Sequence, residues 1–276
     1  MMTKEEIKIR SLSSTAELED VRRLESKIWG ESDSIPTHQT ITAVKNGGLV
    51  LGAYSGDELI GFQYSFPGFN GQSVYLCSHV LGTDELFRNK GIGEKLKLAQ
   101  RDEALKLGYS LITWTYDPLE SVNGYLNIGK LGGMVSTYLP NCYGEMEDFL
   151  NSGLPSDRFL VEWRIGGEKP ADTFGNAFDQ DFVLANSLVQ WNVNDKGWPV
   201  VLPFRNEELH NHAVQFVPVP KNYRSIRETD IELASDWRMR TRHAFSGLFA
   251  QGWQVSGFKK ISSPEIPVNF YILTKQ

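Results

Sequence analysis

Hydrophobic residues follow two different spacings along the first 165 residues, and this predicts an alternation of strands and helices. Alternating hydrophobic and polar residues are typical of strands, whereas hydrophobic residues three or four positions apart are typical of helices. Ser14 and Glu17 have the spacing of a capping box, so a helix is expected to follow them and to run to about Trp29. The other predicted elements are strands over 7–12, 48–54, 58–66, 74–81, 109–116, 134–139 and 159–165, and helices over 39–45, 90–107 and 120–131.

The order of these elements predicts the fold class. Strands alternate with helices after an antiparallel start, so we expect an α/β protein with a mixed sheet covered by helices. The pattern weakens after Ile165, and a length of 276 residues suits two domains. We therefore predict one domain over 1–165 and a smaller α/β extension over 166–276. The elements predicted in the extension are a strand over 214–217, a helix over 228–249 and strands over 253–258 and 268–273.

The composition argues against several classes of function. Lys and Arg number 28 against 34 Asp and Glu, and the net charge of −6 disfavours a nucleic acid as the main partner, since such binding depends on excess cations. Cys77 and Cys142 form no CxxC pair, and His210 and His212 have no third ligand nearby in the sequence, so we expect no metal site. Neither a signal peptide nor a long hydrophobic run is visible, so we expect a cytoplasmic protein without a membrane partner.

One segment, residues 81–96 with the sequence LGTDELFRNKGIGEKL, carries a distinctive chemical pattern. A predicted strand leads through a turn into RNKGIG, where Gly91 and Gly93 let a ligand approach the backbone at the start of a helix. Unpaired N–H groups and the helix dipole attract anions at such a helix start, and Arg88 and Lys90 add positive charge. The expected ligand is a phosphate or a pyrophosphate.

Two well-known phosphate-binding motifs do not fit this segment. A dinucleotide-binding fingerprint requires a third glycine three residues after Gly93, where this sequence has Leu96, and the Gly-Lys-Ser/Thr of a Walker A loop is absent. The segment instead resembles the acyl-CoA loop of the GNAT acetyltransferase superfamily, since residues 88–93 match its pattern Arg/Gln-x-x-Gly-x-Gly/Ala. The predicted order of elements over residues 7–165 is also similar to the GNAT fold.

This resemblance implies a binding site for acetyl-CoA or succinyl-CoA. The CoA pyrophosphate would lie on the backbone amides of the loop, and the pantetheine arm would follow the fourth strand where it separates from the fifth. The implied residues are Val80, Leu81, Gly82 and Thr83 on the strand, Arg88, Asn89, Lys90, Gly91, Ile92 and Gly93 in the loop, and Asn123 and Asn127 beside the arm.

The implied reaction is direct transfer of an acyl group to an amine, which requires a base for the ammonium. His79 is the expected base, because it ends the fourth predicted strand and an imidazole titrates near neutral pH; the alternative is a structural histidine. Many GNAT enzymes carry a tyrosine as the acid for the leaving thiolate, but aligning residues 130–133 with the end of that motif places Ile128 at its position. The alternative acids are Tyr125, Tyr138 and Tyr143.

Four blocks resemble a narrower group of larger bacterial GNAT proteins: SHVLGT (78–83), TWTYDPLESVN (113–123), LPNCYG (139–144) and GLPSDRFLVEW (153–163). Some of those proteins are encoded beside N-acylamino-acid racemases, and succinyl-CoA:amino acid N-succinyltransferase activity has been assigned among them. The resemblance implies an amino acid as acceptor. An arginine fork best holds its carboxylate, so Arg158 and then Arg242 are the candidates, and Trp29 is expected to line the acceptor mouth.

The sequence therefore predicts a GNAT-type N-acyltransferase that acts on a small-molecule amine. Two alternatives stay open. One is a catalytically degenerate acyl-CoA-binding module that senses or scaffolds, which the absent tyrosine favours. The other is a protein lysine acetyltransferase, which requires a broad acceptor groove. Residues 166–276 contain no second nucleotide-binding loop, and we expect them to shape the acceptor site or to form a homodimer contact.

Overall fold

The structure, a computed structural model, describes four stretches of the chain: residues 6–144, 154–167, 177–203 and 213–275. The chain forms two compact units, each built from two stretches of sequence. These are Met1–Trp114 with Arg164–Glu168, and Thr115–Trp163 with Lys169–Gln276.

The first unit contains a mixed sheet and three helices. Its strands are β1 Ile7–Ser11, β2 Leu49–Ser55, β3 Glu58–Phe69, β4 Val74–Thr83 and the first part of β5 Leu111–Tyr116, and its helices are α1 Thr15–Trp29, α2 Thr37–Lys45 and α3 Ile92–Lys106. The strand order is β1-β2-β3-β4-β5. Pairing is antiparallel as far as β4, and β4 and β5 are parallel. The mixed sheet predicted from the sequence is confirmed.

Local signals explain helix α1. The Ser14 hydroxyl accepts a hydrogen bond from the backbone N–H of Glu17 at 3.3 Å, and the Glu17 carboxylate accepts one from the backbone N–H of Ser14 at 3.0 Å. The predicted capping box is thus present. Leu18, Val21 and Leu24 lie on one face of the helix and pack into a buried cluster with residues of β2 and β3. This hydrophobic stripe holds α1 on the sheet.

The second unit continues from the end of β5. Its strands are β6 Met134–Leu139, β7 Arg158–Arg164, β8 Trp191–Val193, β9 Pro199–Val201, β10 Val214–Pro220, β11 Trp253–Lys259 and β12 Val268–Lys275, and its helices are α4 Ser121–Gly124, α5 Gln180–Ala185, α6 Tyr223–Thr229 and α7 Ile231–Ala250. The strand order is β7-β6-β11-β12-β10, and β8 and β9 form a separate two-stranded sheet. A π-helical turn, Tyr125–Lys130, continues α4.

In the described part of the chain, no helix has the length and apolar character to cross a membrane.

The compact units divide the chain after residue 114, whereas the sequence predicts a boundary after residue 165. Val255 of β11 pairs with Val135 of β6, and β12 and β10 follow β11 in the same sheet. The strands of residues 134–139 and of the C-terminal segment therefore belong to one unit. Strand pairing between distant segments leaves no local pattern, so hydrophobic spacing does not reveal this boundary.

The helix predicted over 228–249 is α7, and a separate short helix that the spacing does not predict, α6, precedes it. α6 ends at Thr229 and α7 begins at Ile231. Asp230, between them, accepts a hydrogen bond from the backbone N–H of Leu233 at 3.0 Å, and an aspartate in this position caps the start of α7. The spacing predicts no elements for α5, β8 and β9, because segments this short hold too few periodic positions.

Candidate functional site

Residues 88–93 form a loop that leads into α3. Two of its residues have left-handed backbone conformations, Asn89 with φ 61° and Gly91 with φ 77°. Gly91 is the N-cap of α3, and no side chain caps this helix, so its first N–H groups are available to an anion. A Cβ atom added at Gly91 would meet nothing within 4 Å, so the space next to the loop is open.

The cations of Arg88 and Lys90 flank these amides, and the buried side chain of Ile92 holds the start of α3 against the core. Arg88 and Lys90 are both exposed. The Lys90 ammonium donates a hydrogen bond to the backbone oxygen of Leu86 at 2.9 Å and lies 4.5 Å from the ring centroid of Phe87. Ile92 is buried, with 2% of its surface exposed. The loop therefore presents positive charge and N–H donors on a fixed helix end, as the sequence predicts for an anion site.

Strand β4 extends well past its pairing with β5. Within the described residues, the parallel register with β5 covers Leu76 and Cys77, whereas the antiparallel register with β3 continues to Thr83. The backbone of residues 80–83, where the pantetheine arm is predicted, is therefore held by β3 along one edge and lies beyond the part that β5 pairs with.

His79 lies at an irregularity of β4. The register with β3 shifts between Ser78 and Val80, so His79 is the extra residue of a β-bulge. Its ring centroid is 6.0 Å from that of Tyr64 and 5.5 Å from that of Phe66. Although the residue is exposed, the groups packed around the imidazole desolvate it, and this lowers the pKa of His79 below its usual value. A lowered pKa keeps the imidazole neutral near neutral pH, as a base requires.

Three features thus occur along β4 and just after it: the incomplete pairing with β5, the bulge at His79, and the left-handed loop that opens α3. The resemblance found in the sequence implies this separation of the fourth and fifth strands and this loop, and the order of strands and helices agrees with it. The order and pairing of these strands and helices are those that the resemblance to the GNAT fold predicts. Within this fold, Val80, Leu81, Gly82 and Thr83 lie on β4 and residues 88–93 form the loop, where they were predicted.

Solved acetyltransferase structures are similar to this chain, whereas no family model and no curated protein matches it. A GNAT-family acetyltransferase from Streptococcus pneumoniae is 13% identical, with a TM-score of 0.47 over 58% of this chain and 100% of that one. The ribosomal-protein-S18-alanine N-acetyltransferase from Escherichia coli is 16% identical, with a TM-score of 0.47 over 60% and 99%. An aminoglycoside 6'-acetyltransferase type Ii is 19% identical, with a TM-score of 0.45 over 57% and 97%.

Trp29, predicted to line the acceptor mouth of the GNAT fold, packs against β4. A Cβ atom added at Gly82 would lie 2.8 Å from the Trp29 indole and 2.8 Å from the Phe62 ring, so only a glycine permits this close approach. The two rings meet edge to face with their centroids 6.1 Å apart. Trp29 remains 42% exposed. The end of α1 therefore places an accessible indole beside the strand that the pantetheine arm is predicted to follow.

In the second unit, Tyr143 and Arg158 form a cluster with the end of β5. The Tyr143 hydroxyl is 2.7 Å from Oγ1 of Thr115, and the Arg158 guanidinium lies 5.2 Å from the centroid of the Tyr143 ring. Arg158 also donates a hydrogen bond to the backbone oxygen of Asp157 at 2.9 Å. Tyr143 is 57% exposed. The cluster thus combines a hydrogen-bonded, accessible phenol with a half-buried arginine.

Arg242, the second candidate for an acceptor carboxylate, is held by a carboxylate of this chain. Its Nε is 2.8 Å from Oδ2 of Asp157, and its Nη2 is 2.5 Å from Oδ1. The Tyr138 hydroxyl donates to the same carboxylate at 2.6 Å. Burial by itself raises the pKa of Asp157, but the hydrogen bonds from Arg242 and Tyr138 bring that pKa below its usual value. We therefore assign Arg242 and Tyr138 to this buried ion pair and not to substrate.

The other predicted residues lie in and near the π-helical turn after α4. The Tyr125 ring centroid is 4.8 Å from the Lys260 ammonium. Asn123 is exposed, whereas Asn127 is 4% exposed and enclosed by the fold. Ile128, at the position of the GNAT tyrosine, is 3% exposed and packs in the core. Of the two asparagines predicted beside the pantetheine arm, Asn123 is the accessible one.

Three buried charged residues of the first unit, Glu25, Asp84 and Lys97, are absent from the sequence predictions. Lys97 on α3 is 4% exposed, and Asp84, directly after β4, is 3% exposed. Lys97 follows the hydrophobic Leu96 within the predicted helix, so its burial has a weak signal in the sequence. Asp84 has none, because its cationic partner, Lys27, comes from α1.

The described residues contain no group of three His, Cys, Asp or Glu side chains that could hold an ion. His210 and His212, the only histidines with ligand-like spacing in the sequence, lie outside the described residues.

Proposed function

We propose that this chain is an acyl-CoA-dependent N-acyltransferase that moves an acetyl or succinyl group from CoA to the amine of a small molecule, with an amino acid as the acceptor. One observation carries the proposal: β4 bears an imidazole at its bulge and leads, a few residues later, into a loop that opens an uncapped helix start. A thioester anchored at residues 88–93 and extended along residues 80–83 would bring its carbonyl toward His79.

The loop suits the pyrophosphate of CoA for two physical reasons. The left-handed conformations of Asn89 and Gly91 and the uncapped start of α3 offer several backbone N–H donors to one anion. Arg88 and Lys90 then supply the positive charge that a doubly charged pyrophosphate requires. The pantetheine arm carries amides, and these can hydrogen-bond to strand backbone in the manner of an added β-strand.

His79 supplies the proton transfer that the reaction requires. The neutral imidazole takes a proton from the acceptor ammonium, and the freed amine attacks the thioester carbonyl carbon to form the C–N bond. Electron density moves onto the carbonyl oxygen, where backbone N–H groups of β4 stabilise it. Collapse of this tetrahedral intermediate breaks the C–S bond. The attacking nitrogen gives up its second proton and the departing CoA thiolate takes up one, so the products are the amide and the CoA thiol.

For the remaining roles we propose Arg158 and Tyr143. A guanidinium fork can grip both oxygens of an amino-acid carboxylate, and the partial exposure of Arg158 supports this role. The phenol of Tyr143 is accessible and oriented by Thr115, which supports it as the donor of a proton to the thiolate. Tyr125 and Asn123 are second candidates, for the acid and for a contact with the CoA arm respectively.

A thiol-release assay tests the proposal. Purified protein is incubated with acetyl-CoA or succinyl-CoA and a panel of L- and D-amino acids, and free CoA is measured. We expect amine-dependent release, and His79→Gln should lower kcat/KM roughly 100-fold, the lower range for loss of a general base. His243→Gln, an exposed histidine on α7, should leave kcat/KM unchanged. Absence of amine-dependent release with every amine tested would contradict an acyltransferase.

A second function, an acyl-CoA-binding sensor or scaffold, is favoured by one observation. Ile128 occupies the place of the GNAT tyrosine and is buried in the core, so the usual acid is missing. Such a module would bind acyl-CoA in a calorimetric titration and show no thiol release. A protein lysine acetyltransferase, in turn, would release thiol with lysine-containing peptides and not with free amino acids.

A further inference from the structure

Five polar side chains, which we call the Lys97 cluster, are buried between α3 and the sheet of the first unit. Its members are Gln63 and Ser65 on β3, Ser78 on β4, and Lys97 and Gln100 on α3. Their exposed fractions are 0% for Gln63, Ser65 and Gln100, 4% for Lys97 and 6% for Ser78. The cluster lies outside the acyl-CoA loop, and the proposed chemistry does not use it.

Two serine hydroxyls connect the cluster. The Lys97 ammonium nitrogen donates to Oγ of Ser78 at 2.8 Å, and Nε2 of Gln63 donates to the same oxygen at 3.3 Å. Oγ of Ser65 accepts hydrogen bonds from Nε2 of Gln100, at 2.7 Å, and from Nε2 of Gln63. Gln63 thus links Ser65 to Ser78 within the sheet. Gln100 and Lys97 link these two serines to α3.

This arrangement is costly for the fold. Among the described residues Lys97 has no salt bridge to a carboxylate, and its nitrogen lies 3.5 Å from the centroid of the Trp114 ring, which compensates only part of the lost hydration. Burial lowers the pKa of Lys97 well below its usual range. The Oε1 atoms of Gln63 and Gln100 are buried without a partner in the described structure. Buried polar groups of this kind cost free energy that well-packed hydrophobic side chains would not.

The Lys97 cluster lies next to the β-bulge of β4, and this position indicates its structural role. Ser65 and Ser78 are the cross-strand pair on one side of the β-bulge, and Tyr64 and Val80 are the pair on the other. His79 is the extra residue between them. A one-residue slip that removed the bulge would turn side chains of β4 to the opposite face of the sheet. Such a slip would take Ser78 away from Lys97 and Gln63.

We infer that Lys97 is a positioning residue that holds Ser78 against α3, fixes the bulge of β4 and thereby aims the His79 ring toward the acceptor amine. This inference rests on the proposed function, in which His79 is the base. The ammonium reaches Ser78 from the helix side of the sheet, and the imidazole packs against Tyr64 and Phe66. Lys97 therefore acts through β4 and does not touch the substrate.

Lys97→Met tests the inference, because it keeps a long side chain and removes the hydrogen-bond donor. We expect kcat to fall roughly 10- to 100-fold, the loss typical of a displaced catalytic group. The KM for acyl-CoA should stay within about twofold, since the loop of residues 88–93 is built separately. Lys106→Met, an exposed lysine in the last turn of α3, is the matched control and should leave both constants unchanged.

A second readout separates positioning from general stability. In NMR spectra, the His79 resonance is assigned by its loss in His79→Gln. In Lys97→Met the pKa of His79 should rise toward its ordinary value, and the contacts between its ring and the Tyr64 ring should disappear, because the imidazole leaves the desolvating groups. Ser78→Ala, which removes the acceptor without adding bulk, should do the same. Both are measured at a temperature where the variants remain folded.

The outcomes are distinguishable. Wild-type kcat together with an unchanged His79 titration in folded Lys97→Met and Ser78→Ala would overturn the inference. If the wild-type protein shows no turnover with any amine, the proposed function fails. The NMR readouts then still decide whether Lys97 positions the His79 ring.

Discussion

The ammonium of Lys27 lies 2.5 Å from Oδ2 of Asp84, and this ion pair joins the last turn of α1 to the end of β4. Asp84 also accepts a hydrogen bond at 3.1 Å from the backbone N–H of Leu86, in the short turn Glu85–Phe87 that leads into the loop of residues 88–93. The hydrogen bond from Lys27 lowers the pKa of Asp84. One carboxylate therefore fixes both the turn and its attachment to α1.

Lys27→Ala should weaken acyl-CoA binding, because Asp84 then stays buried without its cation and the turn before the loop loses its support. We expect a several-fold rise in KM for acyl-CoA with kcat nearly unchanged, measured by thiol release. Lys45→Ala, an exposed lysine at the end of α2, is the control for loss of one surface charge. A KM equal to that of the control would show that the ion pair does not position the loop.

The pH dependence of activity should report His79. The neutral imidazole is the active form, so kcat/KM rises as pH increases through the pKa of His79. Because burial lowers that pKa, the rise should occur below the ordinary histidine pKa of about 6.5. His79→Gln should remove this acidic limb altogether. A limb that persists in the variant would assign the titration to another group.

Gly91→Ala tests the loop geometry. A Cβ atom at Gly91 has open space around it, so the effect of the substitution comes from the φ of 77°, which costs an alanine about 1–2 kcal/mol. If the loop relaxes to avoid this cost, its N–H groups turn away, and acyl-CoA should bind roughly 10-fold more weakly in a calorimetric titration. Gly108→Ala is a matched control, since its φ of 89° is equally strained and its surroundings are equally open. It should lower stability and leave acyl-CoA affinity unchanged.

Arg242→Met should destabilise the protein and spare acceptor binding. It leaves the fully buried Asp157 carboxylate with Tyr138 as its remaining side-chain donor, and we expect a loss of roughly 2–3 kcal/mol in urea unfolding at neutral pH, reduced for the partial exposure of Arg242. Because the folded-state pKa of Asp157 is lowered, its contribution is present above the ordinary carboxyl pKa and is lost as pH falls through the folded value. The difference between variant and wild type should therefore shrink on acidification. A raised KM for the acceptor in folded Arg242→Met would restore its role in substrate binding.

Arg158→Gln should separate acceptor binding from donor binding. Loss of the guanidinium removes the proposed partner of the acceptor carboxylate, so the KM for the amino acid should rise about 10-fold or more, as for loss of a charged hydrogen-bond partner. The KM for acyl-CoA should be unchanged. If the variant had the same KM as the wild type for the amino acid and the same KM for acyl-CoA, Arg158 would be excluded from the acceptor site.

The sequence by itself determined the features that depend on near neighbours. Ser14 and Glu17 are three residues apart, and their capping box starts α1 as predicted. The loop of residues 88–93 is likewise local: glycine at position 91 permits a left-handed backbone, and the helix that follows supplies the N–H groups. Such signals survive in the sequence because the interacting groups lie within one or two turns of chain.

Tertiary structure alone decided which side chains are available for chemistry. The bulge that displaces His79 depends on the pairing of β3 with β4, and Lys97 is buried because its neighbours on the sheet accept it. In the sequence Arg242 is a candidate to bind a substrate carboxylate. In the fold it pairs instead with Asp157, which lies 85 residues earlier in the chain. The free energies of strand register, burial and ion pairing are set by groups distant in the chain, so residue spacing carries no record of them.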